Sequence, residues 1–221
     1  MTLSSVLPIL RGALLASVSL MTSLAGTISL DFGANDGGFT GTARWSYGSN
    51  VWRLAGADNQ DDRLTSPTFQ ASGGEVVLQF VHTRNFEGTF DGGAVELSVN
   101  GSAFSYIPNA SFTLNGYNGT TTSNAAFPNG TQVFNGNLSN PLTSIVSLGT
   151  LADTDSYAFR FRAGSDPSVT ISGTNAWSIS SVDLTNTATT GGSDIPEPST
   201  AALLALGGLG LAAYRVRRRR A

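Results

Sequence analysis

Between Gly26 and Thr190 the apolar residues recur at every second position. Val76, Leu78 and Phe80 alternate with Val77, Gln79 and Val81, and Val95, Leu97 and Val99 alternate with Ala94, Glu96 and Ser98. The clearest case is Tyr157, Phe159 and Phe161 against Ser156, Ala158, Arg160 and Arg162, with three rings on one face and two guanidiniums on the other. Side chains point to opposite faces along a strand, so this period of two predicts half-buried strands. Further strands are predicted at Thr27–Phe32, Val51–Leu54, Leu64–Gln70, Phe104–Ile107, Ser144–Leu148 and Trp177–Leu184. In the last, Trp177 and Ile179 share one face while Val182 and Leu184 fall on the other, which predicts a bulge between them. Turn signals separate the runs: Gly73-Gly74, Asp91-Gly92-Gly93, Asn100-Gly101, Asn115-Gly116, Asn118-Gly119 and Asn129-Gly130. The body contains no amphipathic stretch of helical length. About nine strands with frequent turns predict an all-β fold, a single antiparallel β-sandwich over residues 26–190.

The two ends follow other rules. Met1 to Leu24 carries one charge, Arg11, followed by an apolar run, with Ser23 and Ala25 as small residues before Gly26. This layout predicts a helical signal peptide over residues 1–25, removed by signal peptidase on export. At the other end Gly191-Gly192-Ser193 reads as a linker, and residues 191–200 include Pro196, Glu197 and Pro198. Residues 201–214 hold no charge and predict a single transmembrane helix; residues 215–221 form a tail with Arg215, Arg217, Arg218, Arg219 and Arg220. Ser199 to Val216, at 1.5 Å per residue, spans about 27 Å, close to a hydrocarbon core of roughly 30 Å. Arginine on one flank orients the span with its tail in the cytoplasm and the body outside.

Pro196-Glu197-Pro198, a short apolar span and a terminal arginine cluster, in that order, resemble the PEP-CTERM sorting signal of bacteria that make exopolysaccharide. The resemblance implies recognition by a membrane-embedded exosortase and cleavage near the Pro-Glu-Pro segment. The protein would be anchored in the inner membrane first, then passed to the cell surface, outer membrane or extracellular matrix. The two prolines fix φ and hold the segment extended, the form a processing enzyme grips.

A second resemblance runs from Leu64 to Leu184. It is carried by Leu64-Thr65-Ser66-Pro67-Thr68-Phe69, Leu78-Gln79-Phe80-Val81-His82, Glu87, Phe90-Asp91-Gly92-Gly93-Ala94-Val95-Glu96-Leu97-Ser98 and Asn115-Gly116-Tyr117. Tyr157-Ala158-Phe159-Arg160-Phe161-Arg162-Ala163-Gly164-Ser165-Asp166 and Trp177-Ser178-Ile179 complete it. This order resembles the MAM-type jelly-roll accessory domains found beside immune inhibitor A-like metallopeptidases. It implies a jelly-roll-like sandwich associated with binding and adhesion; the peptidase part is absent. The resemblance also implies a second acidic residue after the Trp-Ile pair, where Ser180 and Ser181 stand instead.

Charge and composition narrow the chemistry. All twelve basic residues are arginine, and the formal net charge is −3. Between Gly26 and Thr190 six arginines face thirteen carboxylates, a balance of −7, which argues against a nucleic-acid partner. The absence of cysteine excludes disulfides, zinc-thiolate sites and thiol nucleophiles. The single histidine, His82, lies in phase with Val76, Leu78 and Phe80 and is expected to be packed in the core. No Gly-x-Ser-x-Gly elbow accompanies it, and no catalytic residues are assigned. Glu87 and Asp91, before a glycine-rich turn, are the candidate ligands of a structural calcium ion, which takes six to eight oxygens; Asp58, Asp61 and Asp62 are a second such cluster. Paired carboxylates also suit glycoside hydrolysis, but sequence spacing cannot supply the required separation. Trp45, Tyr47 and Trp52, with Arg44 and Arg53, suit either core packing or stacking on sugars. The expectation is an exported, exosortase-processed surface or matrix protein, not an enzyme, with a binding or adhesion sandwich and polysaccharide as partner. The alternatives are a secreted glycan hydrolase and a purely structural matrix component.

Overall fold

The structure, a computed structural model, describes residues 26–33, 35–42, 44–168 and 175–188. The expected signal peptide (1–25), sorting motif, transmembrane helix (201–214) and arginine tail lie outside the described residues.

Apart from one short 3-10 turn at Asn109–Ser111, the regular structure of the described residues is all strand. In order the strands are β1 (Gly26–Asp31), β2 (Thr40–Gly41), β3 (Trp45–Gly48), β4 (Val51–Leu54) and β5 (Asp61–Thr65). There follow β6 (Phe69–Ala71), β7 (Gly74–Asn85), β8 (Gly92–Val99), β9 (Ser105–Tyr106) and β10 (Phe112–Leu114). The last five are β11 (Gly119–Thr120), β12 (Gln132–Val133), β13 (Asn137–Leu151), β14 (Ser156–Gly164) and β15 (Trp177–Ala188). All described pairings are antiparallel.

Two layers form the expected sandwich. In the first, β10, β13, β7 and β15 lie side by side, and β15 is flanked beyond by β1 and by the β3–β4 hairpin. In the second, β14 lies between β8, which carries β9 on its outer edge, and β5, which carries β2. The short strand β6 pairs with both β14 and β15 and so ties the layers along one side. The inner faces meet through aromatic rings, as Phe80 of β7 against Phe161 of β14 at 5.0 Å and Phe161 against Trp177 of β15 at 5.5 Å. On β7 and β14 the alternation read from the sequence is the alternation of burial, with Val76, Leu78, Phe80, Phe159 and Phe161 fully buried; on β8 it is not, since Ala94, Glu96 and Ser98 are buried while Leu97 and Val99 are half-buried.

The predicted bulge is present. The β15–β7 register shifts between Ile179 and Ser181, so that Trp177, Ile179, Val182 and Leu184 all face inward. Asn100-Gly101 is a tight turn as predicted, with φ of 52° and 73° and Ser102 N–H donating to Val99 O at 3.0 Å. Other readings need correction. Leu64–Gln70 is two strands, β5 and β6, interrupted at Pro67, which has no N–H to give to a ladder; Ser66 bridges the break by donating its N–H to Phe159 O and accepting from Phe159 N–H with its Oγ. Ser144–Leu148 is only part of β13, whose Asn- and Pro-rich start reads like a loop. Pro141 is accommodated there because the β13–β7 register shifts between Leu138 and Leu142.

Asp91-Gly92-Gly93 is not a turn but the entry into β8. A Cβ on Gly93 would collide with the Trp177 indole, and one on Gly92 with Val133. Gly93 also exchanges both backbone hydrogen bonds with Phe134, at 2.9 and 2.8 Å. Glycine inside a strand here marks a close approach.

His82 occupies the core position expected of it, 1% exposed. The Trp177 indole N–H donates to His82 Nδ1 at 3.1 Å, and an indole can only donate. Nδ1 is therefore unprotonated, and the proton sits on Nε2, 3.1 Å from Ser144 Oγ, which in turn donates to Asn115 O at 2.7 Å. Burial first, and the nearby Arg84 charge second, lower the histidine pKa to about 3.

Two outcomes follow. Gly93→Ala should destabilise the domain by about 2 kcal/mol or more through overpacking against Trp177, read as a lower urea midpoint with unchanged slope. A histidine kept neutral in the fold costs stability as pH falls from 6.5 toward about 3, because the unfolded chain then binds the extra proton. His82→Gln, which cannot titrate, should flatten that acid slope, which for one proton approaches about 1.4 kcal/mol per pH unit; equal slopes in both proteins would show that His82 does not titrate on unfolding.

Candidate functional site

The outer face of the second sheet carries a charged ladder. Alternation on β14 sends Arg160 and Arg162 outward, register places Glu96 of β8 opposite Arg160, and β5 supplies Asp61 and Arg63 on the other side. Arg162 grips both oxygens of Asp61, at 2.8 and 3.0 Å, and reaches Glu96 Oε1 at 3.1 Å. Arg160 Nε donates to the second oxygen of Glu96, and Arg63 to Asp61. Hydrogen bonding to Asp61, with Glu96 adding, holds the Arg162 guanidinium above its ordinary pKa. Phe104 lies over Arg160 at 4.3 Å and Phe127 over Arg162 at 5.5 Å, cation–π contacts that cover the ladder from above.

Beside Phe127 a cleft of about 420 Å³ opens, within the range of roughly 300–1,000 Å³ that ligand sites occupy. Glu96 and Arg162 form its floor, and Tyr106, Phe127, Pro128, Thr131 and Gln132 its walls. Tyr106 is placed by the β8–β9 pairing, which sets it opposite Glu96 and on the same face. Its ring stacks on Tyr117 at 5.6 Å, and its hydroxyl donates to Gln132 O at 2.7 Å. Burial pushes the phenol up to about 12, so it stays neutral at any physiological pH. The Phe127 wall is fixed by Asn124, whose Oδ1 accepts from the N–H groups of Ala126 and Phe127. Aromatic edges beside neutral donors and acceptors can hold a ring that is apolar on its faces and hydroxylated at its rim. The sequence showed the outward guanidiniums and the strand bearing Tyr106, but carried no sign that Phe127 and Gln132 would close over them.

A second site lies at the end of β14. Carboxylate oxygens of Glu87, Asp91 and Asp166 converge within 4.8 Å of one another. The structure thus brings the two candidate calcium ligands together and adds Asp166. No ion pair among the described residues engages any of the three. Glu87 Oε2 is buried without a hydrogen-bond partner, and Asp91, 5% exposed, has its carboxyl pushed up to about 6, chiefly by burial, with the Glu87 and Asp166 charges adding. The gap beside Asp91 is about 10 Å³, room for one water-sized body and none for a sugar ring. Convergent carboxylates and an orphaned oxygen suit a calcium ion.

The remaining candidates are dispersed. Asp58 is exposed; Asp62 accepts from Thr42 Oγ1 and lies 3.6 Å from Arg44, whereas Asp61, on the other face of the same strand, joins the arginine ladder. Adjacent strand residues point opposite ways, so this trio cannot converge. Trp45 and Trp52 pack in the core at 5% and 6% exposure, and of the three aromatic residues only Tyr47 is exposed, its hydroxyl donating to Phe32 O. Arg53 Nη1 donates to Gly48 O.

Among solved structures, the chain is similar to the xylan-binding module CBM15, with 14% identity, 73% of this chain and 97% of that one covered, and a TM-score of 0.41. It is similar to the C-terminal CBM6 of a marine laminarinase from Zobellia galactanivorans, with 13% identity, coverage of 72% and 99%, and a TM-score of 0.28. An exo-β-1,3-galactanase from Phanerochaete chrysosporium, in a structure with galactose, matches at 14% identity over 73% of this chain with a TM-score of 0.34; the chain spans 30% of its length. No curated protein matches the sequence. At the C-terminus, residues 194–220 match the PEP-CTERM protein-sorting motif. Pro196, Glu197 and Pro198, the apolar run and the arginine cluster behind them therefore constitute a PEP-CTERM sorting signal, joined to an antiparallel β-sandwich.

Proposed function

We propose that this is an exported cell-surface or matrix protein whose sandwich binds polysaccharide in the Tyr106–Phe127 cleft. Signal peptidase removes residues 1–25, an exosortase recognises Pro196, Glu197 and Pro198, and the body reaches the surface, the outer membrane or the extracellular matrix. The observation that carries the binding reading is the cleft itself: aromatic walls and neutral hydrogen-bonding groups over a floor whose charges are already paired. The reading is of binding rather than hydrolysis. Both Glu96 oxygens are held by guanidiniums, which leaves neither free to deliver a proton to a glycosidic oxygen. Incubated with the producing organism's own extracellular polysaccharide, the protein should sediment with it, and Tyr106→Ala should weaken that association about tenfold. Equal sedimentation of both proteins would remove the cleft from the reading, and release of reducing ends would replace binding by hydrolysis.

We also propose that Glu87, Asp91 and Asp166 hold calcium as a structural ion, clamping the entry of β8 to the exit of β14. A carboxyl whose folded pKa is raised stabilises the fold in its protonated form, so the metal-free protein should lose stability as pH rises from about 3.8 to about 6. Calcium favours the ionised form and reverses that trend. Adding millimolar calcium should therefore raise the melting temperature by several degrees at pH 7 and by little at pH 5, and Asp91→Asn should abolish the response. No shift at pH 7 would exclude the ion.

A further inference from the structure

We infer that the cleft selects an uncharged glycan, an inference that rests on the polysaccharide reading above and names the class of chain it takes. Every charge at the cleft is already committed within the protein. Arg162 is shared between Asp61 and Glu96, Arg160 is bound to Glu96, and Arg63 to Asp61. A uronate entering the cleft would find no free guanidinium and would have to displace a protein carboxylate to gain one. Glu96, 4% exposed, is shut off from solvent by the same contacts. An amino sugar fares no better, since every carboxylate oxygen of Asp61 and Glu96 is already held by a guanidinium. Longer-range charge acts against acidic chains too: six arginines and thirteen carboxylates between residues 26 and 190 make the body −7, which repels a polyanion within the Debye length of about 8 Å at physiological salt.

What remains available at the rim is neutral. Tyr106 offers a phenol oxygen that can accept, Thr131 a hydroxyl whose proton goes to Pro128 O but whose lone pairs are open, and Gln132 a side-chain amide that makes no hydrogen bond among the described residues. An amide and two hydroxyls match sugar hydroxyls, which both donate and accept, and match charged substituents poorly.

The test is affinity electrophoresis of the full-length protein in detergent, through gels containing a neutral glucan, xylan or galactan, the anionic polymer alginate, or cationic chitosan. Retardation is expected in at least one neutral gel, unchanged between low and high salt, and at least about tenfold weaker in alginate and chitosan. Gln132→Ala, an exposed side chain whose loss leaves the fold intact, should weaken the neutral interaction by about threefold to tenfold. Tightest binding to alginate or chitosan, abolished by salt, would overturn the inference while leaving the polysaccharide reading standing. A folded protein retarded in none of the gels would overturn both.

Discussion

The indole of Trp177 reaches inward from β15 to the point where both layers meet. Its ring lies 5.5 Å from Phe161 of the opposite sheet and within 6.2 Å of Trp45, His82, Phe86 and Phe134. Gly93 gives it space by having no side chain, and His82 Nδ1 accepts the hydrogen bond of its one N–H. A large ring fully enclosed, with its one polar atom satisfied, sets the spacing and register of the sheets around it. The bulge after Ile179 is needed for this arrangement, since without it Val182 and Leu184 would turn outward when Trp177 turned in.

The same alternation that builds the core builds the cleft. Tyr157, Phe159 and Phe161 make β14 a core strand, and the residues between them, Arg160 and Arg162, make it the floor of a site. Exposed ion pairs contribute little one at a time. Here several share two carboxylates beneath Phe104 and Phe127, and their effect is to fix the floor and leave it without a free charge. Rigidity and neutrality of the binding surface come from one set of contacts.

Two buried titratable groups act in opposite senses. His82 stays neutral at the centre of the sandwich, and acid works against it; Asp91 at the loop end keeps its proton up to about pH 6, and rising pH works against it. The histidine's partners, Trp177 and Ser144, satisfy it fully. The aspartate's neighbours are other carboxylates, an arrangement that a divalent cation would resolve.

The sequence by itself determined the strand content, the inward faces of β7, β14 and β15, the bulge in β15, the burial of His82 and the sorting signal. Each of these is written locally, in a period of two, a change of phase or a short contiguous motif. It misread Asp91-Gly92-Gly93 as a turn and confined β13 to Ser144–Leu148, because glycine and proline can mark a close approach or a bulge as well as a bend, and only the neighbouring strand says which. Glu87 and Asp91 could be paired from their spacing, whereas Asp166 could not be added until β8 and β14 were side by side. Only the tertiary structure brought Tyr106 and Phe127 together over Glu96 and Arg162. A cleft is a relation between segments distant along the chain, and no pattern within one segment encodes its neighbour across a sheet.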